Sequence, residues 1–293
     1  MYYRIGGHNI KITHTEDESV LDSILTSFIP FKTNDGGKEL LFHVTVDNNL
    51  KKTPEEDCHL IRDIDTGNGM TKVDRLSNGG YQFLIRDLSG HECGLLISSP
   101  DFSDCKCRVR GSEAIKRFAL NNAMMLTYAF SAARHDTLLI HASVIRHKGT
   151  AYAFTAKSGT GKSTQVANWM RYIPDCDIMN DDNPVIRIVD GEPVLYGSPW
   201  SGKTPCYRNI QAPLGAILLI ERDDHNHVEG QRPLLAFSTL LSACSSMKWD
   251  VDIYGDMCNT INKFIERITV ASLHCLPDRE SAEVCRAYVT SKE

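Results

Sequence analysis

Ala156–Lys157–Ser158–Gly159–Thr160–Gly161–Lys162–Ser163–Thr164 follows an apolar run, Ala151–Tyr152–Ala153–Phe154–Thr155, and precedes a helix-like run from Thr164 to Tyr172. Strand, glycine-bearing loop and helix, in that order, is the context a phosphate cradle requires. Glycines let successive backbone N–H groups turn toward an anion, and the start of a helix adds unpaired donors with a favourable dipole. The pattern G-x-x-x-x-G-K-[ST] is met except at its first glycine, which is Ala156. An alanine fits there if the residue stays extended, because close backbone approach depends on Gly159 and Gly161. The motif places Ser158, Gly159, Thr160, Gly161, Lys162, Ser163 and Thr164 around phosphates, with Lys162 as the cation and Ser163 toward Mg²⁺.

Outward from the loop, two adjacent apolar runs, Thr137–Ile145 and Thr150–Thr155, read as a hairpin whose second strand delivers the cradle. After the loop helix, an extended segment from Cys176 enters Asn180–Asp181–Asp182–Asn183. Phosphoryl transfer needs carboxylates to hold a metal and to receive the acceptor's proton. Asp181 and Asp182 are the candidates, although four turn-forming residues in a row also read as a simple turn. Pro184–Val189 and Pro193–Tyr196 form a hairpin about Asp190–Gly191, and Leu214–Ile220 reads as a buried strand. Helices are expected over Pro233–Cys244, Asp256–Ile268 and Asp278–Tyr288, with a short strand at Ile268–His274.

Upstream, the first hundred residues read as β-rich, with alternation over Tyr2–Ile12 and Glu39–Asp47 and a hairpin from Tyr81–Leu88 and Cys93–Ser98. Leu21, Ile24, Leu25 and Phe28 have helical spacing, and Lys51–Asn78 reads as a polar surface excursion. Ser112 is positioned to cap a long amphipathic helix from Glu113 to Arg134. A domain boundary is therefore expected near residue 110, dividing a β-rich N-terminal domain (1–110) from a nucleotide-binding domain (111–293).

Composition narrows the function. A chain of 293 residues with 42% hydrophobic content has enough apolar material for one large core or two smaller ones. The formal net charge of −5 argues against a dedicated nucleic-acid surface. No apolar run approaches the roughly 20 residues that span a bilayer, so no membrane partner is expected. The N-terminus shows no secretory pattern, and ten scattered cysteines are expected as reduced thiols in the cytoplasm. Cys105–Lys106–Cys107 lacks a second pair at ligand spacing and reads as two side chains on one face of an extended segment.

Ile140–His141–Ala142–Ser143–Val144–Ile145, the Ala156–Ser163 loop and Asn180–Asp181–Asp182, in this order, resemble the catalytic domain of HPr kinase/phosphorylase. The likeness spans about residues 137 to 290 and is nearest to relatives of that enzyme without its N-terminal domain. It implies an α/β fold: a P-loop-containing mixed sheet flanked by helices, as in the HPr kinase C-terminal domain and phosphoenolpyruvate carboxykinase, with a smaller β-rich N-terminal domain. It also implies transfer of phosphate from ATP, or another phosphate donor, to a hydroxyl group with Mg²⁺ as cofactor. Asp181 would be the catalytic base, Asp182 a metal ligand with Ser163, and His141 a neighbour of the phosphates beside Lys162. Lys203 and Arg208 would supply positive charge to the acceptor. No E-I-R-G segment follows the aspartates, so HPr itself is not implied as acceptor. The acceptor is then an unidentified hydroxyl-bearing protein, peptide or small molecule, and a homo-oligomer is compatible with the family. The alternative is a nucleotide-binding regulatory or scaffold protein without phosphotransfer. A hydrolytic motor or switch is disfavoured, because the acidic pair lies amid polar residues rather than at the end of a long apolar strand.

Overall fold

A computed structural model describes residues 1–65, 69–157, 159–202, 204–245 and 247–291. The chain is mixed α/β, with two large mixed sheets and flanking helices, and divides into two compact units, Met1–Ala132 and Ala133–Glu293. No helix among the described residues is long and apolar enough to cross a membrane.

The first unit contains β1 (Tyr2–Ile5), β2 (His8–His14), α1 (Ser19–Ile24), β3 (Lys32–Thr33), β4 (Phe42–Val46), β5 (Cys58–Asp65), β6 (Met70–Leu76), β7 (Tyr81–Arg86), β8 (Glu92–Ser98), β9 (Asp104–Val109) and α2 (Glu113–Ala132). Its sheet runs β3-β1-β2-β4-β9-β8-β7-β6-β5, parallel at β2–β4 and β4–β9 and antiparallel elsewhere. The polar stretch 51–78, expected as a surface excursion, contains β5 and β6. β5 ends the sheet and exposes most of its side chains, so neither face imposes hydrophobic alternation on it. Cys105 and Cys107 lie two apart on β9, both buried and free, as the extended reading requires.

The expected boundary near residue 110 is replaced by one after Ala132. The long helix α2 belongs to the first unit because that unit's sheet covers its apolar face. Phe130 meets Phe83 and Phe102 at ring-centroid distances of 6.0 and 5.3 Å, and the buried Tyr128 hydroxyl donates to the Ile5 carbonyl at 3.0 Å. At Gly94 an added Cβ would come within 3.2 Å of Ala119, so the missing side chain permits the helix's close approach to β8.

The second unit contains β10 (Thr137–Leu139), β11 (Ala142–His147), β12 (Thr150–Thr155), α3 (Lys162–Tyr172), β13 (Cys176–Asp182), β14 (Val185–Val189), β15 (Glu192–Tyr196), β16 (Gln211–Arg222), β17 (His227–Gly230), α4 (Pro233–Ala243), α5 (Val251–Ile265), β18 (Thr269–Cys275) and α6 (Arg279–Thr290). Its strand order is β10-β14-β15-β16-β12-β11-β13, and β18 pairs with both β16 and β17. β12, β16 and β18 run parallel, and β11 lies antiparallel between β12 and β13. The carboxyl ends of β12, β13, β16 and β18 therefore lie at one end of the sheet, where ligands bind in open α/β sheets. The helix expected from Asp256 begins five residues earlier, because the Asp250 side chain accepts the Ile253 N–H at 3.0 Å and caps it.

Trp169 anchors α3 to the sheet. It is fully buried, with the Tyr152 and Phe154 rings centred 5.6 and 6.0 Å away, in a core that also takes Val166, Leu218, Leu273 and Cys285. Truncation to alanine would leave a large void next to the loop helix. Trp169→Ala is expected to lower unfolding free energy by about 3–5 kcal/mol in urea titrations, and Trp169→Phe by less.

Candidate functional site

β12 ends at Thr155 and the loop crosses to α3, whose first helical residue is Lys162. Gly159 and Gly161 have φ of +77° and +137°, which side chains rarely adopt, and an added Cβ at either would meet open space. Glycine is thus required here by backbone conformation and leaves room above the loop. Arg222, at the end of β16, donates through Nη2 to the Gly159 carbonyl at 2.8 Å and through Nε to the Thr160 carbonyl at 3.4 Å. Successive C=O and N–H groups of a trans peptide point oppositely, so the Gly161 N–H faces away from Arg222.

The acidic pair belongs to strand β13, so the alternative of a simple turn at 180–183 does not hold. Asp181 lies opposite Ser143 and Asp182 opposite Ala142 in the β11–β13 ladder. The nearly buried Asp181 carboxylate accepts from Ser143 Oγ at 2.6 Å and from Ser163 Oγ at 3.2 Å through the same oxygen, Oδ1. Asn180 is fully buried, and its amide donates to the carbonyls of Ser198 and Trp200 at 3.4 and 3.2 Å. Ser201 Oγ donates to the Asp181 carbonyl at 3.0 Å. The 197–202 segment is thereby laid along the strand end.

His141 joins the two halves. Lys162 Nζ donates to His141 Nε2 at 2.8 Å, and His141 Nδ1 lies 2.9 Å from Asp182 Oδ1. An ammonium group has only donors, so in this contact Nε2 is the acceptor, and Nδ1 is the nitrogen that faces Asp182. Asp182 holds φ of +132°, a conformation unfavourable for any residue with a side chain. The ladder partner Ala142, the bridge to Ser201 and the contact with His141 keep it there. Burial pushes the Lys162 ammonium below its ordinary value of 10.5, against the raising pull of Asp182 and Asp181. A half-buried cation at a helix start, short of compensating charge, is suited to receive an anion.

Beside the loop is a cavity of about 400 Å³, lined by Gly159, Gly161, Thr164, Ile220, Leu276 and Pro277 among others. Its size lies within the range of small-molecule sites. The structure therefore brings together Gly159, Thr160, Gly161, Lys162, Ser163, Thr164, His141, Asp181 and Asp182. Ser158 and Lys203 lie outside the described residues. Arg208, expected to supply charge to an acceptor, instead donates to Asp177 at 2.6 Å, and Arg146 meets the same carboxylate at 2.8 Å. That pairing, with Arg146 the larger influence, holds Asp177 below the usual carboxylate range.

Two site residues were missed by sequence reasoning. Ser143 lies on β11 directly opposite Asp181, a pairing that only the register of the two strands reveals. Arg222 is the first basic residue after the apolar run of β16, whose parallel pairing with β12 carries it to the loop. Neither is recognisable without the register.

No protein-family model matches the chain, and no curated protein matches it significantly. Among solved structures it resembles the HPr(Ser) kinase/phosphatase from Coxiella burnetii, with a TM-score of 0.32 and 8% identity. The overlap covers 52% of this chain and 91% of that one. At that score and identity no residue correspondence is transferred.

The lowered Lys162 value has a definite sign in stability. The folded state binds this proton less tightly than the unfolded chain, so the charged lysine disfavours folding at neutral pH, and the penalty disappears above 10.5. In thermal melts without ligand, Lys162→Met is expected to melt at or above the native protein at neutral pH. The native protein should gain on the variant as pH rises toward 10.5.

Proposed function

We propose that the second unit is a Mg²⁺- and nucleotide-dependent phosphotransferase acting on a hydroxyl group of a protein, peptide or small molecule. The observation that carries this reading is the Asp182–His141–Lys162 chain beside the Ser143–Asp181–Ser163 set, both at the start of α3. The glycine-bearing loop and helix start suit phosphates, and the adjoining cavity has room for a nucleoside.

Ser163 Oγ and Asp181 Oδ1 are hard oxygen donors 3.2 Å apart beside the phosphate loop, a donor set that fits Mg²⁺. A Mg²⁺ ion held there would neutralise charge developing on the transferred phosphoryl group. Lys162, released from His141 by an incoming phosphate, would turn its ammonium to the outer phosphate oxygens. That release leaves His141 Nε2 as a free acceptor for the proton of the attacking hydroxyl. Asp182, at Nδ1, would hold the ring's orientation and stabilise the imidazolium that forms. In this assignment Asp181 is the metal ligand and Asp182 positions the base, the reverse of the roles implied by the family resemblance. Its support is Asp181's burial and its contact with Ser163, against Asp182's greater exposure and its contact with His141.

The experiment is to follow ATP γ-phosphate consumption and acceptor labelling over a panel of serine-bearing peptides and small alcohols. Lys162→Ala and Asp181→Asn are expected to lower turnover by about 10²–10³-fold, as loss of a charge-stabilising group does. Unchanged turnover in both variants overturns the assignment. Stabilisation by ATP that Lys162→Ala abolishes, without any phosphorylated product, would replace it with the regulatory or scaffold reading.

A further inference from the structure

The carboxyl ends of β16 and β18 and the start of β17 gather a second set of polar side chains. His227 and His274 are direct partners in the antiparallel β17–β18 ladder, so their side chains share one face. Glu221 is the partner of His274 in the parallel β16–β18 ladder. The two imidazoles lie 4.5 Å apart with planes 5° from parallel, and His225 stacks on His227 at 4.9 Å.

One nitrogen from each of His227 and His274 and one carboxylate oxygen of Asp223 lie within 4.8 Å of one another. His274 Nδ1 is 3.6 Å from Asp223 Oδ2, while its Nε2 is 3.5 Å from Glu221 Oε2. His227 Nδ1 is buried without a hydrogen-bond partner among the described residues, while its Nε2 is 3.8 Å from Glu229. His274 thus has Glu221 at one nitrogen and the candidate ligand Asp223 at the other, and His227 has Glu229 near one nitrogen and an unpartnered second nitrogen. A carboxylate behind the ring is the usual support for a metal-binding histidine, because it sets the tautomer and strengthens the donor. The loop before β17 is held by Asn226, whose amide donates to Glu280 at 2.8 Å and to Asp278 at 3.2 Å and whose carbonyl accepts from the Leu276 N–H at 2.9 Å.

We propose that Asp223, His227 and His274 form a binding site for a divalent transition metal ion of the zinc type. Two imidazole nitrogens and one carboxylate oxygen match the borderline character of Zn²⁺ and differ from the all-oxygen sets that Mg²⁺ takes. Binding one ion at bond lengths of about 2.0–2.2 Å would require the rings to turn out of their stack. With three protein ligands the ion keeps a position open, and Asp223 also lines the cavity beside the phosphate loop. The site is separate from the Ser163–Asp181 oxygen pair and does not depend on the phosphotransferase reading.

The test uses the full chain, stripped with a chelator, reduced and titrated with Co²⁺ and then Zn²⁺. Stoichiometric Co²⁺ absorption in the visible range is expected, displaced by Zn²⁺ and without the near-ultraviolet bands that thiolate ligands would add. The ten free cysteines make that distinction necessary. His227→Gln and His274→Gln are each expected to weaken binding by roughly tenfold or more, whereas His59→Gln on the exposed edge strand leaves it unchanged. Asp223→Asn, which keeps the side chain's shape, gives an independent check should a histidine variant fold poorly. Binding that survives all three ligand substitutions, thiolate-type absorption, or no stoichiometric binding overturns the proposal.

Discussion

Asp181 ties the second unit together. Its carboxylate is nearly buried and accepts from a hydroxyl on strand β11 and a hydroxyl on helix α3. A buried carboxylate left without donors is strongly unfavourable, and these two contacts offset that cost. They hold the start of α3 to the sheet at the end where the glycine loop arrives, while Trp169 holds the body of the helix through apolar burial. Lys162, the first residue of that helix, stands at the point where the glycine loop enters it.

Strand direction makes this possible. β12, β16 and β18 run parallel, and β13 is brought into the same direction by two antiparallel steps through β11. Residues far apart in sequence, Thr155, Asp182, Arg222 and Cys275, consequently lie at strand ends on one side. The antiparallel insertion of β11 adds something a purely parallel sheet would lack. It begins at the same end, so His141, the residue just before it, stands between Lys162 and Asp182. The glycine-loop region and the histidine–aspartate cluster are both products of this one convergence, and Asp223 stands on the wall of the cavity beside the loop.

Much of the glycine-loop region was legible because loop motifs are local. Gly159 and Gly161 need positive φ, Lys162 and Ser163 begin a helix, and these demands act on neighbouring residues. The strand carrying the acidic pair was also legible from its apolar start at Cys176, although its polar end could equally read as a turn. β5 was not legible, since an exposed edge strand carries no alternation. The reach of the first unit through α2 was missed for a different reason. Amphipathic spacing shows that a helix has an apolar face, but not which sheet will cover it.

The sequence by itself determined a glycine-bearing loop between strand and helix, an acidic pair downstream, a histidine upstream and a β-rich N-terminal region. Those are properties of short windows, where backbone conformation and side-chain period are set by adjacent residues. Tertiary structure alone decided that Asp181 faces Ser163 while Asp182 faces His141, that Arg208 is held by Asp177, and that His227 meets His274. Each of those facts depends on strand register and direction, which bring together residues that no local pattern relates.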